Sequence, residues 1–176
     1  MKIFLRIVGG VVVCLALALL VARVTGFEPR TCANIYENWA CKYPGLWLRG
    51  DVVTTPVNDW SFTDKMPTIK IQTSTWYGIP HSVNIGCVFY NGHLYVSSVY
   101  MRPEVKYRWN ENIMRDPHVR LKIGDKLYDR TLVYVTDHAE KMAVFEAKSK
   151  KYWDVEPLFH TLPPHATVNV FRVPDI

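Results

Sequence analysis

The side chains with the widest chemistry here are four cysteines and six histidines. His81, His93, His118, His138, His160 and His165 form no H-x-x-x-H pair, and none stands beside a carboxylate at ligand spacing, so no zinc-type site is written in the sequence. Cys32 and Cys41 flank eight residues, Ala33 to Ala40. In an oxidising compartment such a pair closes a small disulfide loop, for which the chain-entropy model gives roughly 2–3 kcal/mol. Two free thiols are the second reading; a metal pair is the third, and it lacks a further Cys or His partner. Cys14 and Cys87 lie elsewhere, in an apolar leader and a strand. There is no G-x-S-x-G elbow, Walker loop or Rossmann fingerprint, so hydrolase and nucleotide-triphosphate readings have no support. The remaining polar candidates are Lys70 with Gln72, the pair Ser97-Ser98, Arg102 and Lys106, and Trp109 with Asn112. Each also has a plainer role: exposed strand face, charged helix start, or helix packing.

Those residues must be held by elements that the periodicity predicts. Pro67 to Ser74 alternates with Ile69 and Ile71 on one face, which predicts a first strand carrying Lys70 and Gln72 on the other. His81 to Tyr90 reads as a long second strand with a bulge or bend at Gly86. Asn91-Gly92 is a hairpin turn, and His93 to Tyr100 returns as the third strand, ending in Ser97 and Ser98. A short helix follows. It sets Trp109, Asn112, Ile113 and Asp116 on one side by three- and four-residue spacing, and Pro117 stops it. Val119 to Ile123, a Gly124-Asp125 turn and Leu127 to Thr136 give two more strands. Asp137 with Glu140 makes a capping box for a helix running to Lys151 or Tyr152, and Thr167 to Val173 is the last strand. Residues 28–64 hold Tyr36, Trp39, Tyr43 and Trp47, too apolar for a disordered linker. A short helix near Ala33 to Cys41 and an irregular wrap on the sheet are expected there. Arg49-Gly50-Asp51 is a chance match to an adhesion motif.

The chain has 176 residues and a formal net charge of +5. That excess is modest and its densest run is Lys148-Ser149-Lys150-Lys151, which does not make a nucleic-acid footprint. Lys2 and Arg6 precede an uncharged run, Ile7 to Ala22. The run suits an uncleaved anchor extended by snorkelling; a cleaved signal peptide is the alternative, although Val21-Ala22-Arg23 is a poor cleavage site. The positive-inside bias then keeps the amino terminus in the cytoplasm, giving a single-pass inner-membrane protein with a periplasmic globular part. The expected organisation is an anchor over 1–24, an aromatic-rich lead-in over 25–66 and a β-rich domain over 67–176, with membrane contact through residues 3–24.

The pattern Trp109, Asn112, Ile113, Asp116, Pro117, then Val119, Leu121, Ile123 and Gly124, resembles the split β-barrel superfamily of flavin and deazaflavin binders. That superfamily includes pyridoxamine-phosphate-oxidase-like and deazaflavin-dependent nitroreductase-like proteins. Thr75, Gly78 and Pro80 are similar to a T-x-x-G-x-P turn of the nitroreductase-like members. The resemblance spans roughly 67–173. It implies a mainly β (α+β) fold, a six- or seven-stranded split barrel with two flanking helices behind the transmembrane helix. It also implies a homodimer, with Tyr95, Tyr100 and Trp109 as interface aromatics, or a larger membrane complex.

The same resemblance points to a cofactor site. Hydroxyls at the third strand's end and basic residues just after it contact the cofactor phosphate in the superfamily, which points at Ser97, Ser98 and Arg102, with Lys106 beside them. Lys70, Trp109 and Asn112 complete the candidate set, and the cofactor would be FMN or a related flavin. Phosphate-oxidase-like members also carry a second-strand arginine, where this chain reads His81-Ser82-Val83-Asn84. A haem-binding version of the fold makes His81 or His160 a possible axial ligand. Two functions follow: a flavin-type oxidoreductase, or a non-catalytic accessory or scaffold subunit of a membrane complex, which would bind no cofactor.

Overall fold

The computed structural model describes residues 1–32, 39–100, 106–152 and 166–175. Its elements are α1 (Lys2–Thr25), β1 (Asp51–Val52), β2 (Ile69–Thr73), β3 (His81–Ile85), β4 (Cys87–Tyr90), β5 (His93–Tyr100), α2 (Arg108–Arg115), β6 (His118–Ile123), β7 (Lys126–Thr131), β8 (Val133–Tyr134), α3 (His138–Lys151) and β9 (Thr167–Val173). Of the helix expected around Ala33 to Cys41, a 3-10 turn at Trp39–Lys42 is seen, and 33–38 lie outside the described residues.

One sheet has the order β1-β7-β6-β2-β3 and the other β4-β5-β9-β8. All pairings are antiparallel except β1 with β7. The expected six or seven strands are therefore corrected to nine among the described residues. Two of the expected strands are each cut in two, and each half joins a different sheet. The second strand breaks at Gly86 into β3 and β4, and the fifth breaks at Leu132 into β7 and β8. The two sheets are thus joined along two seams by chain continuity, without forming one closed ladder. Gly86 fits tightly at its seam: a Cβ there would lie 3.2 Å from Lys148 Cε and Tyr152 Cζ at α3's end, so these side chains would have to shift by a few tenths of an ångström. The Tyr152 hydroxyl serves the bend's backbone: it accepts from Cys87 N–H at 3.0 Å and lies 3.0 Å from the Cys87 and Pro67 carbonyls.

The core lies between the sheets. Ile69, Ile71, Val119, Leu121 and Ile123 meet Leu94, Val96, Phe171 and Val173. Each such side chain, fully buried, contributes about 1.5–3 kcal/mol. α3 packs Val144 against Val88, Tyr95 and Val170 on the outer face of the second sheet. Local signals set the connections. Asn91 and Gly92 both have positive φ, 47° and 84°, the type I′ hairpin geometry. Asp137 accepts a hydrogen bond from Glu140 N–H at 2.7 Å and so caps α3. Glu140's carboxylate does not turn back to complete the box; it accepts from the Tyr95 hydroxyl at 2.8 Å.

α1 is 24 residues long with mean hydropathy 2.7, and none of its apolar window is buried. By length and composition it can cross a bilayer, a test that a signal sequence also passes.

Candidate functional site

α2 is short and amphipathic, and it caps one end of the sheets by polar pairs reaching to β2 and β5. Ser98 Oγ donates to Asn110 Oδ1 at 2.7 Å. Asn112 Nδ2 donates to Thr73 Oγ1 at 2.9 Å, and Thr73 Oγ1 donates to the His81 carbonyl at 3.2 Å. Ser98, Asn110, Asn112 and Thr73 are all buried, so each polar atom requires its partner. Trp109 drives the helix's apolar face inward, with its ring 6.2 Å from that of Phe171. Arg115 closes the far side by donating to the Ser74 carbonyl. Asp116 ends the helix; its carboxyl is held below the usual range chiefly by the 2.7 Å hydrogen bond with His118.

The candidate residues separate onto three faces. Ser98, Trp109 and Asn112 meet at the α2 cap. Ser97 alternates to the opposite face of β5, where Lys148 Nζ donates to its Oγ at 3.0 Å and its carbonyl at 3.1 Å. Two adjacent strand residues cannot both turn side chains to one small ligand. Lys70 lies on the outer face of the first sheet and pairs with Glu28 of the lead-in at 2.8 Å. Lys106 is exposed just before α2. Arg102 lies outside the described residues, as does His160.

Glu28 is the functional-looking residue that sequence reading missed. Its carboxylate bridges Lys70 and Lys122, which face each other across β2 and β6. Lys122 Nζ donates to both oxygens, at 2.7 and 2.9 Å, and Arg49 N–H donates at 2.7 Å. Burial pushes this carboxyl up, but the bonds from Lys122, Lys70 and Arg49 outweigh it and hold it below its ordinary value. The lead-in extends this docking. Leu48 N–H donates to Gln72 Oε1, Asn84 Nδ2 to the Arg30 carbonyl, and Thr68 Oγ1 to the Cys32 carbonyl. A disulfide joins Cys32 to Cys41. No local signal marks Glu28, because its partners are 42 and 94 residues away.

The registers place these two regions at opposite ends of the sheet. Asp51 pairs near Lys126 and bonds to Asp125 at the β6–β7 turn, while Thr73 and Val119 lie at the α2 end. Arg49, next to that turn end, also donates to the Val24 carbonyl of α1. The α2 end therefore points away from α1. Its rim combines cations and aromatic faces. Trp76 is 83% exposed, Tyr77 and Tyr107 are exposed, and Arg108 Nη1 donates to the Tyr77 hydroxyl at 3.4 Å. Tyr107 stacks on Tyr100 at 5.4 Å, and the Tyr100 hydroxyl is pushed up to about 12 by burial and the Glu111 carboxylate. His81 beneath the rim is held below its usual value by burial and by Arg108, so it is neutral near pH 7. Such a rim can stack a planar ring and hold an anion.

No protein-family model matches the chain, and no curated protein matches it. Solved structures do. One described as a domain-swapped dimer is 21% identical, covers 61% of this chain and 80% of its own, and superposes with a TM-score of 0.51. A conserved hypothetical protein of Mycobacterium tuberculosis is 15% identical, with 71% and 85% covered and a TM-score of 0.51. A structure described as an F420-H2 dependent reductase is 20% identical, with 68% and 99% covered and a TM-score of 0.48. The chain shares its α+β, two-sheet fold with the first two of these structures.

Proposed function

We propose that this protein is a membrane-anchored split-barrel protein that binds a flavin-type cofactor at the α2 end. The observation that carries the reading is the α2 cap: the motif residues Trp109 and Asn112 seat the helix, with Ser98 beneath it, under a rim of exposed aromatics and cations. Lys106, Arg108 and Arg115 supply positive charge for a phosphate, and Trp76, Tyr77 and Tyr107 supply faces for a ring; Arg102, outside the described residues, is added on the strength of the motif resemblance alone. A bound flavin would bring hydride or single-electron transfer. The chain's own residues would orient the ring, hold its anion and shield one face from water. Ser97 and Lys70 do not face this rim and are engaged by Lys148 and Glu28. The absorption spectrum of the purified full chain tests the reading: a visible flavin band supports it, and a Soret band instead moves attention to His81.

A second reading, a non-catalytic subunit of a membrane complex, draws on those internal engagements, which leave fewer of the candidate residues open to a ligand. In both readings α1 anchors the chain in the inner membrane with the domain on the periplasmic side. The likeness to a domain-swapped dimer supports pairing with a second copy.

A further inference from the structure

α1 runs into the domain with almost no slack. The helix ends at Thr25, Gly26 follows, and Phe27 is already tied down. The Phe27 N–H donates to the Trp47 carbonyl at 3.0 Å, and its carbonyl accepts from Leu46 N–H at 2.6 Å. The next residue, Glu28, is the one clamped by Lys70 and Lys122. Arg49 closes the junction from the domain's side, donating through Nη1 to the Val24 carbonyl in the last turn of α1. Gly26, at φ 83°, lets the Arg49 side chain lie against the chain, where a Cβ would collide with Arg49 Cγ. The last carbonyls of a helix have no partner within it. Arg49 supplies one partner, and the Thr25 hydroxyl, donating to the Val21 carbonyl at 2.9 Å, supplies another. A cation at this end also complements the helix dipole.

The lengths then set where the domain lies, given the reading of α1 as a membrane anchor, on which this inference rests. From Arg6 to Arg23 the helix rises about 26 Å, close to the hydrocarbon thickness of about 30 Å, so the two arginines sit at its two boundaries. Thr25 is about 3 Å farther out, and Phe27 is at most about 7 Å beyond Thr25. The headgroup layer is itself about 5–8 Å deep. The surface around Phe27 and Arg49 therefore cannot clear that layer. Its composition suits the place. Phe27 is apolar yet 56% exposed, and Arg23 and Arg49 are exposed beside it. Among the described residues no carboxylate pairs with either guanidinium; the acids at hand are Asp51 and Glu28, and Glu28 is held by its two lysines. Aromatic rings favour the headgroup level at the ends of a spanning helix, and guanidinium groups bind phosphate oxygens there. We infer that this face docks on the bilayer, with Arg23 and Arg49 on lipid phosphates and Phe27 at the headgroup–acyl boundary. The domain is thereby held in one orientation, its α2 rim turned to the aqueous side.

The test places a nitroxide label on the full chain in vesicles of equal parts phosphatidylcholine and phosphatidylglycerol, and compares its accessibility to oxygen and to a water-soluble nickel chelate. Native Cys14, exposed on α1, reports the anchor; Cys87 is buried and Cys32 and Cys41 are joined, so they stay unlabelled. In a Cys14→Ser background, Phe27→Cys reports the docked face and Met114→Cys, exposed on α2, reports the far end. The label at 27 should favour oxygen over nickel, and the label at 114 should do the reverse. Arg49→Gln should raise nickel access at 27 several-fold, and Arg49→Lys, which keeps the charge, should not. Should Phe27→Cys fail to fold, the label goes to the exposed Asp51, two residues from Arg49, with the same expectation. A label at Cys14 open to nickel refutes the anchor and the docking together. A shielded Cys14 with position 27 as open to nickel as position 114 refutes the docking and leaves the anchor standing. Unchanged access in Arg49→Gln refutes the hold on lipid phosphate.

Discussion

Replacing Glu28 by Gln probes the docking of the lead-in on the sheet. The side chains of Lys70, Lys122 and Glu28 are 11%, 15% and 19% exposed. The amide keeps the shape of the carboxylate and loses its charge, leaving two ammonium groups paired across β2 and β6 with no counterion. Breaking a fully buried pair costs about 3–5 kcal/mol, and partial exposure of this cluster lowers the figure to about 2–3 kcal/mol. For a chain of this size that is a fall of about 4–12 °C in melting temperature. The assay is thermal unfolding of the full chain in detergent at pH 7 and low salt, with Lys70→Met made alongside. Lys70→Met combined with Glu28→Gln should cost less than the sum of the single changes, because the second removes a charge the first left unpaired. A fall under about 1 °C in Glu28→Gln, or strict additivity in the double variant, would refute the cluster as the clamp of the lead-in.

Acid should release the same clamp. The Glu28 carboxyl is lowered in the folded chain, so its contribution is complete above the ordinary carboxylate value and is lost as pH falls through the folded one. Hydrogen exchange of the lead-in amides should rise below about pH 4 in the wild type, and Glu28→Gln should show the fast exchange already at pH 7. Reducing the Cys32–Cys41 disulfide should loosen the same segment by roughly 2–3 kcal/mol, read as faster exchange near Leu48 with the β5–β9 amides unchanged. Asn110→Ala should cost about 1–3 kcal/mol in denaturant unfolding, since it orphans the buried Ser98 hydroxyl. Gly86→Ala should push the end of α3 off the seam and cost about 1–3 kcal/mol, and no loss of stability would show that the bend tolerates a side chain.

Much of the scaffold is local and therefore legible in the sequence. β5 and β9 run over the residues the sequence predicts, His93–Tyr100 and Thr167–Val173, and Asn91-Gly92, Pro117 and Asp137 mark a turn, a stop and a cap by their own chemistry. Gly86 was readable as a bend, but not that its two sides enter different sheets, because that depends on α3 packing over the seam. β1 escaped notice because two residues carry no period and pair in parallel with a strand far along the chain. The candidate site was legible in part. Trp109 and Asn112 stand where a motif of fixed spacing puts them, on the helix that caps the sheet. Ser97 and Ser98 are neighbours in sequence but face opposite sides of β5, and what lies on each side is decided by α2 and α3. Lys70 looked like a ligand or a solvated residue; its partner Glu28 belongs to a segment with no regular period.

The central claim is that the α2 rim takes a flavin-type cofactor, and titration of the full chain in detergent with flavin mononucleotide, followed by flavin fluorescence, tests it most directly. The account predicts saturable quenching with half-saturation below roughly 100 μM, a binding free energy stronger than about −5.5 kcal/mol. Arg102→Ala, and separately Arg108→Ala, should weaken it by about ten- to a hundredfold, as expected for one charge-assisted bond to a phosphate. Absence of saturation up to roughly 100 μM in the wild type would contradict the account.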